Sequence, residues 1–392
     1  MPKLARDNNF YYSQYNSQIY DYSIYASRKD AYYRLLNEAQ QPKKKVKKQK
    51  SLIQILISML FVCTLLFNAL PFGFNKITKK IFVPTPHKHI KVDTYKFAFP
   101  THNYLSNTWF LGQRGFNYSA EEKYAQMIPL NQNVNMPALT QDLLKLSEIY
   151  PKVKPSVYVW DYETGNYVDI DGDKSYPAAS IIKIPVLIDV FKSIEAGQFS
   201  LNDTMSLTEY YRTEGSGSLQ FKGDRPYSID DLARLMITDS DNSATNMLIA
   251  KVGSMTDVNQ AIRDWGMNKT NIQAWLPDLE GKNQTTAKEI ATMLYNIDEN
   301  EKLLTEESRT KIFSYMGQVR NDRLIKAGLG KGAVFLHKTG DIGTMLGDAG
   351  IVIAPNGKKY IVSILANRPH NDIAGKDYIV KASEIIYNYM VK

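Results

Sequence analysis

Residues Tyr176-Pro177-Ala178-Ala179-Ser180-Ile181-Ile182-Lys183-Ile184-Pro185-Val186-Leu187-Ile188 decide how this chain is read. From Ser180 to Ile194 the apolar positions recur with helical spacing, and Gly197 closes the run. Pro185 removes a backbone donor and ordinarily kinks or ends a helix. It is tolerated in a first turn, so the pattern places Ser180 at the very start of the helix. Ser180 and Lys183 then stand at i and i+3, neighbours on one face, with an alcohol beside an amine.

Outward from this helix the patterns change type. Leu139 to Ile149 predicts a first helix, ended by Pro151, and Val153 to Trp160 and Tyr167 to Ile170 predict two strands around the turn Glu163-Thr164-Gly165-Asn166. Residues 200 to 325 carry mostly helical periods, as in Ile229–Ile237, Ala244–Val252 and Ala287–Ile297. Three apolar runs follow, Val334–His337, Ala349–Ile353 and Tyr360–Ala366, separated by turn residues such as Pro355-Asn356-Gly357. A helix from Asp377 to Met390 ends the chain. Strands at both ends around a helical block predict an α+β fold, one antiparallel sheet flanked by helices with an inserted all-helical subdomain.

The chain has 392 residues and a net charge of +8, unevenly spread. The first 50 residues carry 11 Lys and Arg against 4 Asp and Glu, whereas residues 138–392 carry 29 against 33. The basic balance therefore belongs to a tail, and it excludes a nucleic-acid partner for the globular part on charge grounds. A single cysteine, Cys63, excludes intrachain disulfides, iron–sulfur clusters and cysteine-based zinc sites.

Residues 1–50 are polar and rich in tyrosine, without a sustained hydrophobic period, and read as a disordered tail ending in the block Lys43 to Lys50. Residues 51–74 read as one transmembrane helix: no residue from Ser51 to Asn75 is charged, and Leu52 to Leu70, at 1.5 Å per residue, approaches the roughly 30 Å hydrocarbon layer. A buried core helix would show more of a polar face, and a cleaved signal would lack so long a leader. The lysine block places the tail in the cytoplasm and the bulk of the chain outside it. Residues 75–137, with Pro84, Pro86, Pro100 and Pro129, read as a spacer, and residues 138–392 as the catalytic domain. His87 and His89 in the spacer read as surface residues, so no metal and no other cofactor is implied.

Three short strings occur in order: Ser180-Ile181-Ile182-Lys183, Ser240-Asp241-Asn242 and Lys338-Thr339-Gly340. A serine hydroxyl is a poor nucleophile until a base takes its proton, and lysine can serve when burial or a second cation lowers its pKa. Lys338 is a candidate for that second cation and for attracting a substrate carboxylate, with Thr339 adding a hydroxyl. Gly340 would leave a strand edge open to an extended, peptide-like ligand.

With these strings in this order, residues 139–392 resemble the penicillin-recognising serine enzymes, and most closely the class A β-lactamase-like branch. The resemblance extends to Pro177-Ala178-Ala179 before the serine, Leu235 to Asp239 before Ser240, the pair Thr285-Thr286, and Gly343. It implies a β-lactamase/transpeptidase-like fold and acylation of Ser180 by a β-lactam or a peptidoglycan-like acyl-D-alanyl-D-alanine peptide, followed by hydrolysis. Ser240 would pass a proton to the leaving nitrogen, Asn242 would hold the acyl side-chain amide, and the N–H groups of Ser180 and Asp341 would hold the oxyanion. Asp241 reads as structural.

The chain departs from the class A pattern where that family has a Glu-Pro-x-Leu-Asn string. Here the residues are Leu276-Pro277-Asp278-Leu279-Glu280, with Leu276 in the glutamate's place. Either Glu280 activates the deacylating water, which is the favoured reading, or deacylation is slow and the protein behaves as a penicillin-binding peptidase or a β-lactam sensor. A loop carboxylate paired with Lys282 is the plain alternative.

Weaker candidates complete the site. Gly215-Ser216-Gly217-Ser218 reads as a turn or a substrate-facing loop, with Glu214 beside it. Arg368 is open between a contact to a substrate carboxylate and a helix-entry contact. His337 and His370 lack the Gly-x-Ser-x-Gly elbow that a serine–histidine enzyme of the α/β-hydrolase type would need. Nothing signals an oligomer, and a monomer is the expectation.

Overall fold

The computed structural model of the chain describes residues 126–392. The stretches expected to form the tail, the transmembrane helix and most of the spacer, with His87 and His89, lie outside the described residues. Among the described residues no helix is long and apolar enough to cross a membrane.

Helix α1 (Pro137–Ile149) leads into strands β1 (Lys154–Asp161) and β2 (Tyr167–Ile170). The chain next makes a 3-10 turn, Ala179–Ile182, and enters α2 (Lys183–Glu195). Helices α3 (Ile229–Thr238), α4 (Asn242–Val252), α5 (Met255–Asp264), α6 (Ala287–Glu299) and α7 (Glu306–Met316) follow. Strands β3 (Val334–Asp341), β4 (Met345–Ile353) and β5 (Lys359–Asn367) and helix α8 (Ala374–Met390) complete the fold. The five strands form one antiparallel sheet in the order β2-β1-β5-β4-β3, so β1 is closed into the sheet by the last strand and β3 is an edge.

Both faces of the sheet are covered, and the side-chain alternation of the strands divides the core accordingly. Tyr158, Trp160, Leu336, Ala349, Ile351, Ile361 and Leu365 pack against the helical block. Val157, Val159, Phe335, Val352, Val362 and Ile364 pack on the other face against α1 and α8. Five of the eight helices start on a side-chain cap: Ser228, Asp241, Ser254, Thr286 and Thr305 each accept an N–H of the first turn. This is the β-lactamase/transpeptidase-like α+β arrangement expected from the sequence.

Several boundaries differ from the sequence pattern: α2 begins at Lys183 after a 3-10 turn, β4 begins four residues before Ala349 and α8 three before Asp377. Strand β3 continues four residues past His337 because Lys338 and Thr339, polar as they are, remain in the ladder opposite Ala349 and Asp348. The stretch ahead of α1 also packs on the domain: Asn131 O accepts from Trp160 Nε1 at 2.9 Å, and the Ile128 backbone exchanges two hydrogen bonds with Asn296 of α6 at 2.7 and 2.8 Å.

Candidate active site

Ser180 lies in the 3-10 turn and Lys183 begins α2, so Pro185 falls in the helix's first turn, as its chemistry requires. The turn is entered through Ala179 at φ +45°, a left-handed conformation that disfavours any side chain. Gly197, at φ +68°, follows the end of α2.

Lys183 is fully buried, and its Nζ donates to Ser240 O at 2.6 Å, Asn242 Oδ1 at 2.9 Å and Ser240 Oγ at 3.1 Å. Lys338, also fully buried, reaches the same Ser240 Oγ at 3.0 Å and donates to Thr339 O at 2.7 Å. Burial holds the Lys183 amine well below the ordinary lysine range, and the neighbouring Lys338 charge lowers it further. Burial pushes Lys338 down to about 7, against the opposing pull of Asp348. A buried amine that is easily deprotonated, next to a serine hydroxyl, can accept a proton.

Ser240, like Ala179, is a non-glycine residue held at positive φ, +55°, between α3 and α4. Asp241 is structural: its Oδ1 caps α4 through the Ala244 N–H at 2.9 Å, and its Oδ2 accepts from the N–H groups of Ser218 and Leu219 at 2.7 and 2.8 Å. Those bonds draw the Gly215–Ser218 loop to the site, where Ser216, Gly217 and Ser218 line the cleft. Glu214 contributes its carbonyl, accepting from Asn242 Nδ2 at 3.1 Å.

Ser180, Ser240, Lys338, Thr339, Gly340 and Asp341 share one cleft of about 450 Å³. At Gly340 a Cβ would stand 3.1 Å from Ala179 Cβ and 3.2 Å from Ala178 O, so this glycine lets β3 approach the turn that carries Ser180. Val319, Arg320, Asn321 and Arg323 also line the cleft, and the sequence does not single them out. Their one legible signal is the polar run after α7, which is indistinguishable from an ordinary surface loop until the Arg320 N–H bonds Thr238 O at 3.1 Å and draws it in.

Two candidates are placed elsewhere. Glu280 does not line the cleft; its side chain is 75% exposed and pairs with Lys282 at 2.7 Å, which holds the carboxyl below its usual range. Leu276 is buried, its backbone tied to Asn246 of α4 at 2.7 and 3.1 Å. Arg368 is 6% exposed and is consumed by Asp341 Oδ1 at 2.7 Å, Gly343 O at 3.0 Å and Asp372 O at 3.1 Å, the helix-entry contact of the two readings. His337 bonds Asp348 at 2.8 Å on the sheet face that packs against α8, away from Ser180.

Comparison with known proteins agrees with this geometry. A family model described as the beta-lactamase enzyme family matches residues 138–390. The β-lactamase ROB-1 of Haemophilus influenzae is 25% identical over 248 residues, 61% of this chain and 80% of that protein. A β-lactamase of Bacillus licheniformis is 25% identical over 260 residues, 63% of this chain and 82% of that one. Among solved structures PBP-A is 34% identical, covering 67% of this chain and 98% of that one with a TM-score of 0.64, and a point mutant of it has been captured as its penicillin G acyl-enzyme.

Proposed function

The chain belongs to the beta-lactamase enzyme family, serine hydrolases that work through an acyl-enzyme, and we propose that Ser180 is its nucleophile toward β-lactams and acyl-D-alanyl-D-alanine-like peptides. The observation that carries this reading is the pair of buried lysines meeting at Ser240 Oγ beside the Ser180 turn. Lys183, its amine held by burial well below the ordinary lysine range, takes the Ser180 proton. Ser240, between the two amines, relays a proton to the leaving nitrogen, and Lys338 with Thr339 receives the substrate carboxylate. Asn242 positions the acyl amide. The N–H groups of Ser180 and Asp341 hold the oxyanion, each donor worth about 3 kcal/mol in the transition state.

Of the two fates of the acyl-enzyme, slow release is favoured, as in a penicillin-binding peptidase, because Glu280 points into solvent and Leu276 is apolar. The second reading, a turning-over β-lactamase that uses Glu280, draws on the β-lactamases among the relatives. Intact-mass spectrometry of the full-length protein with benzylpenicillin tests both. A Ser180-dependent adduct that persists for hours supports slow release. An adduct that clears within minutes, and clears much more slowly in Glu280→Gln, supports the second. The absence of an adduct with every β-lactam and acyl-dipeptide tried defeats the Ser180 assignment for this substrate class.

We also propose that residues 51–74 anchor the enzyme as a monomer in a membrane, with its catalytic domain outside the cytoplasm. The charge-free run and the preceding lysines support this. Recovery of the protein in the soluble fraction after cell lysis, without proteolysis, would contradict it.

A further inference from the structure

Asp348, in the middle of β4, is fully buried, and its carboxylate has no part in the reaction proposed above. It stands opposite Thr339 in the ladder, one register step from the Lys338–Ala349 pair, on strands about 4.8 Å apart. Both of its oxygens are tied down. A carboxylate only accepts, so His337 Nδ1 donates to Oδ1 at 2.8 Å, and the Ile325 N–H donates to Oδ2 at 3.1 Å. The Ile325 carbonyl in turn accepts from Ser383 Oγ of α8 at 2.6 Å, which fixes the acid against the back of β3.

Taking a carboxylate out of water is costly, and a buried charge seldom repays that cost as stability. Asp348 makes no ion pair with a lysine or arginine among the described residues; its partner is the buried His337. On its other side His337 Nε2 lies 4.0 Å from Asp322, which is paired with Lys326 at 3.0 Å.

Lys338 is the buried cation next to Asp348 along the ladder, and its own Nζ partners are the Ser240 hydroxyl and the Thr339 carbonyl, neither of them an anion. The other charges at this end of the site are engaged elsewhere or are cations. Asp239 is paired with Arg320 at 2.8 Å, Asp341 with Arg368 at 2.7 Å, and Asp241 accepts from three backbone N–H groups. Lys183 is a second amine, and Arg323 lines the cleft. Burial lowers Lys338 to about 7, and the Asp348 charge opposes that fall.

We propose that Asp348 is a positioning residue for the substrate carboxylate, acting from behind β3 as the fixed, buried counter-charge of Lys338. It touches no substrate; it keeps on Lys338 the ammonium that the carboxylate meets. This rests on the assignment of Ser180 as nucleophile and Lys338 as carboxylate receptor, and deepens it by naming what sustains that receptor.

The test compares benzylpenicillin with its methyl ester, which lacks the carboxylate, as acylating agents for Ser180 in the full-length protein. Dividing the two second-order constants cancels effects on the nucleophile and its base. The wild-type ratio favours the acid and falls as pH rises through neutrality. Asp348→Asn keeps an acceptor for the Ile325 N–H and, through its amide, a donor to the other tautomer of His337, so it loses the charge alone. Removing an opposite charge lowers a neighbouring pKa by about one unit or more. For an amine starting at about 7, that cuts the charged fraction about tenfold at about pH 8 and less than about twofold at about pH 6. The acid-to-ester ratio of Asp348→Asn is expected to fall by the same factors. In a Lys338→Arg background, where the guanidinium keeps its proton unaided, the same substitution leaves the ratio within about twofold.

A merely structural role slows acid and ester alike at both pH values. Equal wild-type constants for acid and ester, a ratio that Asp348→Asn leaves unchanged, or one that it lowers equally at both pH values therefore overturns the inference. If circular dichroism shows Asp348→Asn unfolded, Asp348→Thr with His337→Phe takes its place and is judged by the same ratios; it removes both ionisable groups and keeps a hydroxyl for the Ile325 N–H. If benzylpenicillin does not acylate Ser180, the β-lactam part of the functional reading fails separately. Equilibrium binding of an acyl-D-alanyl-D-alanine peptide and of its C-terminal amide to Ser180→Ala at about pH 8, with and without Asp348→Asn, then decides. A preference for the free carboxylate that the second substitution narrows about tenfold sustains the inference. Equal affinities, an unchanged preference or no binding of either peptide overturns it.

Discussion

Lys183 and Lys338, from opposite ends of the domain sequence, converge on one hydroxyl, Ser240 Oγ, at 3.1 and 3.0 Å. Burial holds both amines below the ordinary lysine range, and the Lys338 charge lowers Lys183 further. One lysine is thereby readied as a base while the other remains available as a cation.

Replacing Lys183 by Met is expected to lower the acylation rate of Ser180 by about 10³-fold, the range of general-base contributions, while the protein stays folded. Stopped-flow or quenched mass spectrometry of adduct formation, with circular dichroism as the folding control, measures it. Acylation within tenfold of wild type would remove Lys183 from the base role.

The pH dependence of acylation follows from Lys338. An amine with a pKa of about 7 is charged below that pH and neutral above it, so the pull on a substrate carboxylate weakens as pH rises through neutrality. The second-order acylation constant is expected to fall on the alkaline side. Lys338→Arg, whose guanidinium stays charged, shifts that fall upward by more than one pH unit. An unmoved alkaline limb in the arginine variant would assign it to another group.

Gly340→Ala pushes a methyl group to 3.1 Å from Ala179 Cβ and 3.2 Å from Ala178 O, on a turn whose backbone is already left-handed. A cost of about 1–3 kcal/mol in stability, typical of overpacking, is expected together with at least tenfold slower acylation. Thermal melts and adduct kinetics on the same sample separate the two effects.

Arg368→Ala leaves the carbonyls of Gly343 and Asp372 without that donor and releases Asp341. A destabilisation of about 2 kcal/mol is expected. Slower acylation with little change in non-covalent affinity is also expected, because the turn that presents the Asp341 N–H is loosened. Denaturant unfolding and a split of binding from acylation kinetics measure both.

The local chemistry of the site was legible in the chain itself. Ser180, Lys183, Ser240, Asn242, Lys338 and Thr339 sit in short strings whose order carries meaning. The helix expected from Ser180 to Ile194 is observed from Lys183 to Glu195, with Ser180 in the 3-10 turn before it and Pro185 in the first turn as its chemistry demands. The class of fold follows from strands at both ends around a helical block. What tertiary structure decided is where the charged and polar loop residues go. Sequence spacing could not show that Glu280 faces Lys282 and not Ser180, or that Arg368 is consumed by Asp341. Nor could it show that Arg320 and Arg323 line the cleft. Periodicity records which side chains leave water, because burial repeats with the geometry of helix and strand. The direction of a loop carboxylate or guanidinium is set by partners distant in sequence, which come into reach when the sheet closes β1 against β5 and brings β3 beside the Ser180 turn.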